Sequence, residues 1–453
     1  MAAALLDAAH AAKYVRAPSL RKTIPVAVIR ASVIQDMSRS RAVTASAAVT
    51  FLLTLAACAS PRTVAAPPAP APLPVESSLV LTSPETVGMS NALPEQLDSI
   101  VTAAIADRAS PGVAIMIGRH GRLVVDRSWG RSDWAPNAPP VTDSTLYDMA
   151  SLTKVIASTT AAMLLEEDSL LDIERTVVSY LPEFNSPDKS GITVRMLLTH
   201  SSGMKQNRPL WREFKTHAEF LRAINSHPLS YVPGERSDYT DWNMMVLQAI
   251  VERLSGKRLD SLLAERVFGP LGMRETGFNP SGGLKARIAP TEIQDFRGGL
   301  VWGVVHDENA WMLGGVSGHA GLFSSARDLA TFAQMMLNGG EFGGVRVLQP
   351  QTIARWTARQ RKDGSRALGW DTPAPRSSAG RYFSTRSWGH TGFTGTSIWV
   401  DPEKQLFVVL LTNRVNPTRD NRRVDPLRRS VADAAQAAVL DALLRRWEGP
   451  APR

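Results

Sequence analysis

Residues 145–157 read "TLYDMASLTKVIA", with Ser151 and Lys154 three positions apart. From Val155 to Leu165 no residue is charged, so Lys154 carries the only charge between Ser151 and Glu166. A single ammonium at the head of an apolar helix needs a reason. Residues three apart on a helix are neighbours, with Cβ atoms roughly 5–6 Å apart, so the lysine reaches the serine hydroxyl. Burial disfavours the charged amine, and a neutral or nearly neutral lysine can act as a base on a serine. A serine at a helix N-terminus also meets a potential that favours an anion and a free backbone N–H. The bland alternative is a capping serine followed by a snorkelling lysine. The pattern S-x-x-K is weak by itself, because Ser19–Lys22, Ser186–Lys189 and Ser202–Lys205 repeat it. Only Ser151–Lys154 opens a long apolar helix, which the pattern predicts over 151–167.

Two more groups belong with it. In "YVPGERSDYTDWNMMVLQAIVERLSG" (231–256), Met245, Val246, Ile250 and Leu254 lie at helical spacing, with Thr240 or Asp241 as candidate N-cap. Tyr239 stands at that helix entrance, where a phenol can relay a proton. In "SWGHTGFTGTSIWVDPE" (387–403), His390-Thr391-Gly392 leads into a strand. Gly392 would let a substrate backbone come close; a plain glycine-rich bend reads equally well.

The order S-x-x-K, Tyr-x-Asp, His-Thr-Gly resembles the serine beta-lactamase and penicillin-binding protein superfamily. Within it the chain is similar to the class C beta-lactamase/DD-peptidase/esterase branch, over about 80–440. "LLTHSSGM" (197–204), "VHDENA" (305–310) and "GGVSGHAGLFS" (314–324) look like a cell-wall subgroup of that branch. The resemblance implies a beta-lactamase/transpeptidase-like fold with Ser151 as acylated nucleophile and Lys154 and Tyr239 as general base and acid. It implies an oxyanion hole from the N–H groups of Ser151 and Phe393. Asp241, His390, Thr391 and Gly392 would contact the substrate. Two departures matter. Many members have Asn where Asp241 stands, and an aspartate there can pair with Lys154, raise its pKa and shift the base role to Tyr239. His390 replaces the usual lysine of beta-lactamases. With an ordinary pKa of about 6.5, it is expected to change charge between pH 7.5 and 5.5. Both departures point away from efficient antibiotic hydrolysis.

Elsewhere in the chain, "ALPEQLDSIVTAAIADR" (92–108) reads as a helix, and "GVAIMIGRHGRLVVDRSWG" (112–130) as two strands about a turn at His120-Gly121. A helix from about Ser325 to Asn338 opens on a capping-box-like pair, Ser325 and Asp328. A hairpin about Asp401-Pro402 follows, and a last helix is predicted over roughly 430–446. The class is therefore α+β: one antiparallel sheet from both chain ends, flanked by helices, with a mostly helical inserted subdomain. The expected boundaries are 78–447 for the hydrolase domain, its α/β part about 78–155 and 310–447 and the helical insertion about 156–309. Residues 448–453 are a tail.

The front end reads differently. Residues 37–60, "MSRSRAVTASAAVTFLLTLAACAS", have the form of a bacterial export signal with a lipobox closing at Cys58, the only cysteine. Residues 1–57 are thus expected to be an over-long start plus a lipoprotein signal peptide, with Met37 as true start. Cys58 is the expected lipidation site. Residues 58–77 are a Pro/Ala-rich tether. The expected location is the cell envelope, periplasmic side, with the outer membrane favoured if there are two membranes.

The formal charge is +9. Residues 1–36 carry a net +3 and Arg39 and Arg41 two more, leaving +4 for 58–453. The cluster Arg419, Arg422, Arg423, Arg428, Arg429 reads as solvated surface, and no nucleic-acid partner is expected. No G-x-S-x-G occurs, and Glu166 lies about 22 Å along the helix from Ser151, too far to be its base. His306, Asp307, Glu308 and His319 raise a metal, but no ligand pair has i, i+4 spacing; neither a metal nor a cofactor is expected. The functional expectation is a serine hydrolase working through an acyl-enzyme on peptidoglycan-derived peptides or amides, membrane-bound through its lipid. A small-ester hydrolase or weak beta-lactamase with the same machinery is the near alternative. A penicillin-binding sensor that acylates without turnover is the distant one.

Overall fold

A computed structural model describes residues 79–361 and 364–447. The export signal, Cys58, the tether and the 448–453 tail lie outside the described residues. Five antiparallel strands form the central sheet: β1 (Gly112–Arg119), β2 (Arg122–Gly130), β3 (Trp388–Thr391), β4 (Ser397–Asp401) and β5 (Leu406–Thr412), in the order β3-β4-β5-β1-β2. The two chain ends meet where β1 pairs with β5, from Val113 opposite Thr412 to Arg119 opposite Leu406. The β1–β2 turn is tight because His120 and Gly121 both take positive φ, 50° and 80°.

Every residue of β1, β4 and β5 is buried, so the sheet is covered on both faces. Alternation assigns the faces. Val113, Ile115 and Ile117 pack with Leu93, Leu97 and Val101 of α1 (Leu93–Ala106), together with Leu427 and Val431 near the C-terminus. Ala114 and Met116 join the larger core, which holds the apolar segment behind Ser151. That segment begins as a π-helix over Lys154–Thr159, every residue of it buried, and continues as α2 (Thr160–Glu167). A π-turn is uncommon and recurs at functional sites. α3 (Trp242–Ser255) and α4 (Ala326–Leu337) pack into the same core.

Two expectations change. Ser325 caps α4 by accepting the Asp328 N–H, but the Asp328 carboxylate turns to the N–H of Glu275 and the hydroxyl of Thr276, so the box is half made. The last helix, α5, spans Val424–Ala437 rather than 430–446. Asp425 in its first turn and Pro426 beside it are start signals that outweigh the later apolar spacing.

Candidate active site

Tyr147–Asp148 pairs with Leu322–Ser324, and the chain then turns at Ala150, which holds φ 44°. That left-handed conformation costs an alanine roughly 1–2 kcal/mol. The bend is held by the Asp148 carboxylate, which accepts the Ala150 N–H at 2.7 Å. Ser151 follows at the head of the helical segment.

Lys154 is fully buried, and its ammonium donates to Ser151 Oγ at 2.9 Å, to the His319 carbonyl at 2.9 Å and to Asp241 Oδ1 at 2.7 Å. Burial works against the charge, but the Asp241 carboxylate and then Tyr239 outweigh it, and the ammonium is held above the usual lysine range. Asp241 begins α3 without capping it, because its side chain is turned to Lys154. Thr240 Oγ1 instead accepts the Trp242 N–H, at 3.4 Å. Tyr239 is 40% exposed, yet its hydroxyl lies in hydrogen-bonding reach of Lys154 and Ser151. Burial pushes that phenol up while Lys154 pulls it down, and the net direction is up.

The other serine–lysine pairs do not meet. Ser186 donates to Asp188 and Lys189 to Asp188 and the His227 carbonyl. Ser202 donates to Asn243 Oδ1 at 2.6 Å while Lys205 pairs with Asp238. Ser19–Lys22 lies outside the described residues.

His390-Thr391-Gly392-Phe393 ends β3 beside Ser151. Thr394 Oγ1 donates to the Asp148 carbonyl at 2.7 Å and Thr396 Oγ1 to the Met149 carbonyl at 3.2 Å, joining this turn to the Ser151 bend. Among the described residues neither the Ser151 nor the Phe393 N–H donates to a protein group. A Cβ on Gly392 would lie 2.1 Å from Thr396 Oγ1 and 2.4 Å from the Met149 carbonyl, so the protein itself, rather than an approaching substrate, demands glycine there.

His390 departs from expectation. Its Nδ1–H donates to the Thr391 carbonyl at 2.8 Å, and its buried Nε2 has no hydrogen-bond partner among the described residues, with Asp371 Oδ2 4.0 Å away. Burial lowers its pKa to about 4, so it stays neutral between pH 7.5 and 5.5. The environment of a covered strand overrides the ordinary value.

Ser151, Tyr239, His390, Thr391, Gly392 and Phe393 line one cleft of about 360 Å³. Its other walls carry Arg366, Arg414, Arg422 and Arg428 against Asp371 and Asp425, so the cleft is cationic. The solvated-surface reading of the late arginines is therefore corrected for two of them, Arg419 and Arg428, while Arg422 is exposed on the rim of the cleft. Arg419 pairs with Glu292 and Glu308. Arg428 is buried, with Nη2 donating to the carbonyls of Gly392 and Thr396, both at 2.8 Å. Arg414 Nε donates to the Phe393 carbonyl at 2.8 Å, with its guanidinium 4.4 Å from that ring's centroid. Arg428 and Arg414 thus hold the Phe393 turn by its carbonyls, a role the sequence did not signal.

Behind Lys154, His319 Nε2 bonds Asp307 Oδ1 at 2.7 Å and His319 Nδ1 bonds Ser317 Oγ at 2.7 Å. Ligand atoms of Asp241, Asp307 and His319 lie within 4.8 Å of one another, brought together from three distant stretches. The cation that Asp241 holds there is Lys154.

The profile of a family described as Beta-lactamase matches residues 97–433. A Salmonella agona protein provisionally named D-alanyl-D-alanine carboxypeptidase is 31% identical over 386 residues, covering 77% of this chain and 89% of its own length. A penicillin-binding protein homologue from Caulobacter crescentus superposes with TM-score 0.63 at 20% identity, over 78% of this chain and 99% of that one. EstCE1, a hydrolase with promiscuous acyltransferase activity, gives TM-score 0.63 at 23% identity, over 76% of this chain and 98% of its own. Both structures carry the beta-lactamase-like fold.

Proposed function

The chain belongs to the beta-lactamase family, and from that membership we propose a lipid-anchored serine hydrolase that acts through an acyl-enzyme on peptidoglycan-derived peptides or amides. One observation carries it: among three described serine–lysine pairs, only Ser151 has its hydroxyl on the lysine ammonium, and it does so in a cleft. Ser151 Oγ attacks the substrate carbonyl, and the negative charge that develops on the carbonyl oxygen meets the N–H groups of Ser151 and Phe393. Such preformed donors are worth most where water is excluded. Lys154 and Tyr239 handle the serine proton, and Tyr239 is placed to protonate the leaving group. The acyl group is then passed to water.

The substrate class is supported by the cationic cleft, since peptidoglycan stems carry carboxylates, and by the provisional name of the Salmonella relative. With His390 neutral, positive charge comes from Arg366, Arg414 and Arg422 instead of residue 390. Anchoring rests on the lipobox at Cys58; among the described residues no helix is long and apolar enough to cross a membrane.

A fluorophosphonate or labelled penicillin should modify Ser151 and no other serine, and the purified body should turn over muropeptides. Mapping the adduct by mass spectrometry tests the nucleophile; an adduct on Ser186 or Ser202 would overturn it. Comparing muropeptides, short nitrophenyl esters and a chromogenic cephalosporin tests the substrate class. Stoichiometric labelling without product would indicate a sensor.

A further inference from the structure

We propose that Asp241 is the terminal acceptor of the Ser151 proton, with Lys154 as the relay between them; this rests on Ser151 being the nucleophile. The Lys154 ammonium has three N–H bonds, and each has an acceptor: Ser151 Oγ, Asp241 Oδ1 and the His319 carbonyl, at 2.9, 2.7 and 2.9 Å. An ammonium has no lone pair, so it takes no proton from Ser151 until it has released one. Of its three acceptors, a backbone carbonyl is not a base at neutral pH, and Ser151 is the group to be deprotonated. Asp241 remains. Tyr239, the other neighbour, holds its own proton more tightly than an ordinary phenol because of burial, and offers no basic site until it is lost.

The geometry is built for that exchange. Asp241 forgoes capping α3 to meet Lys154. The His319 carbonyl is held by its own ring, which is fixed between Asp307 and Ser317. The charged or titratable groups facing Lys154 are Asp241 and Tyr239 from the α3 entrance, Asp307 and His319 from behind, and the buried imidazoles of His200 and His390, both kept neutral by burial.

The step balances. An N–H bond of Lys154 breaks as an O–H bond forms on Asp241 Oδ1. The freed nitrogen lone pair takes the Ser151 proton, and the Oγ electron pair forms the bond to the carbonyl carbon. Lys154 ends with the charge it began with, and the negative charge has moved from Asp241 to the oxyanion facing the Ser151 and Phe393 N–H groups. When the intermediate collapses, Tyr239 gives its proton to the leaving group and regains one from Asp241 through Lys154.

The test measures the rate of Ser151 modification by a fluorophosphonate from pH 6 to 10, in the full chain and in Asp241→Asn and Asp241→Glu, with the adduct mapped each time. The wild type should be nearly flat from pH 7 to 9. Asp241→Asn should lose at least thirtyfold at pH 7 and recover as pH rises, because without the carboxylate burial pushes the lysine toward its neutral form. Asp241→Glu, which restores an acceptor, should keep the wild-type profile within about fivefold, and it guards against a folding defect in the amide. A rate for Asp241→Asn within threefold of wild type with an unchanged profile would overturn the relay while leaving Ser151 as nucleophile. A wild-type adduct on another residue would overturn both.

Discussion

Replacing Arg428 with methionine, of similar length but without donors, isolates what holds the oxyanion turn. Arg428 is 7% exposed and donates to the carbonyls of Gly392 and Thr396, flanking Phe393. Burial pushes its pKa down to about 10, so it is still charged at neutral pH. Its remaining bond, to Asp425 at 3.0 Å, reaches a partner that is 55% exposed, and its loss matters little. Each carbonyl keeps one backbone donor, so the loss is of two charge-assisted hydrogen bonds, about 1.5–3 kcal/mol each, or about 3–6 kcal/mol of stability. The turn keeps its own bonds, Gly392 N–H to Thr396 O at 2.7 Å and Gly395 N–H to Gly392 O at 3.1 Å, so it loosens without opening. Losing one oxyanion donor outright costs about 10²–10³ in kcat, so a loosened one should cost about 10–100-fold. KM should change less, because the ground-state carbonyl needs that donor less. The assay is kcat and KM on a short-chain nitrophenyl ester, beside the melting temperature. Arg428→Lys, which can keep one carbonyl, should fall between. If Arg428→Met lowers the melting temperature and leaves kcat within twofold, the arginine supports the fold alone.

Other expectations are as definite. His390 has a folded pKa of about 4, below its ordinary value, so the unfolded chain binds the extra proton first and stability falls as pH drops from about 6.5 to 4. The loss is about 3 kcal/mol from this group, and His390→Gln should flatten that part of a denaturant-midpoint profile against pH; an unchanged slope would mean the imidazole is solvated. For the same reason the wild-type preference between a carboxylate substrate and a neutral ester should not change with His390 protonation between pH 7.5 and 5.5. Gly392→Ala should slow Ser151 modification by about 10²-fold, since the new methyl collides with Thr396 and the Met149 carbonyl beneath the oxyanion donors; a normal rate would show the turn can give. Cys58→Ala should move the protein out of the membrane fraction, and unchanged fractionation would remove the lipid anchor.

Much of the candidate site's grouping was legible because its signals are local. Ser151 and Lys154 are one helical turn apart, and the charge-free run behind them declares burial. Tyr239 and His390-Thr391-Gly392 stand at element boundaries, where Pro, Gly and apolar spacing mark the edges. The sheet was legible for a similar reason: β1 and β2 flank a two-residue turn, and β4 and β5 are continuous apolar runs. What escaped depends on contacts between distant segments. Arg428 looks like surface charge, and Arg414 carries no signal, until the 392–396 turn is laid against them. Asp307 and His319 carry no ligand spacing along the chain, and only the fold brings them to Asp241. The His390 charge was misread because three residues do not reveal whether a strand is covered.

The pairing of β1 with β5 has a consequence for timing. Translation delivers Ser151 and Lys154 long before residue 412, and until β5 arrives β1 has β2 on one side and a bare hydrogen-bonding edge on the other. The Phe393 N–H also follows Ser151 by more than half the length of the folded body. Such late, long-range closure is slow, and an open apolar strand edge invites pairing with other chains. On the mechanism proposed above, a chain still being made carries Ser151 without the Phe393 N–H opposite it, and completes that pair only as its sheet closes.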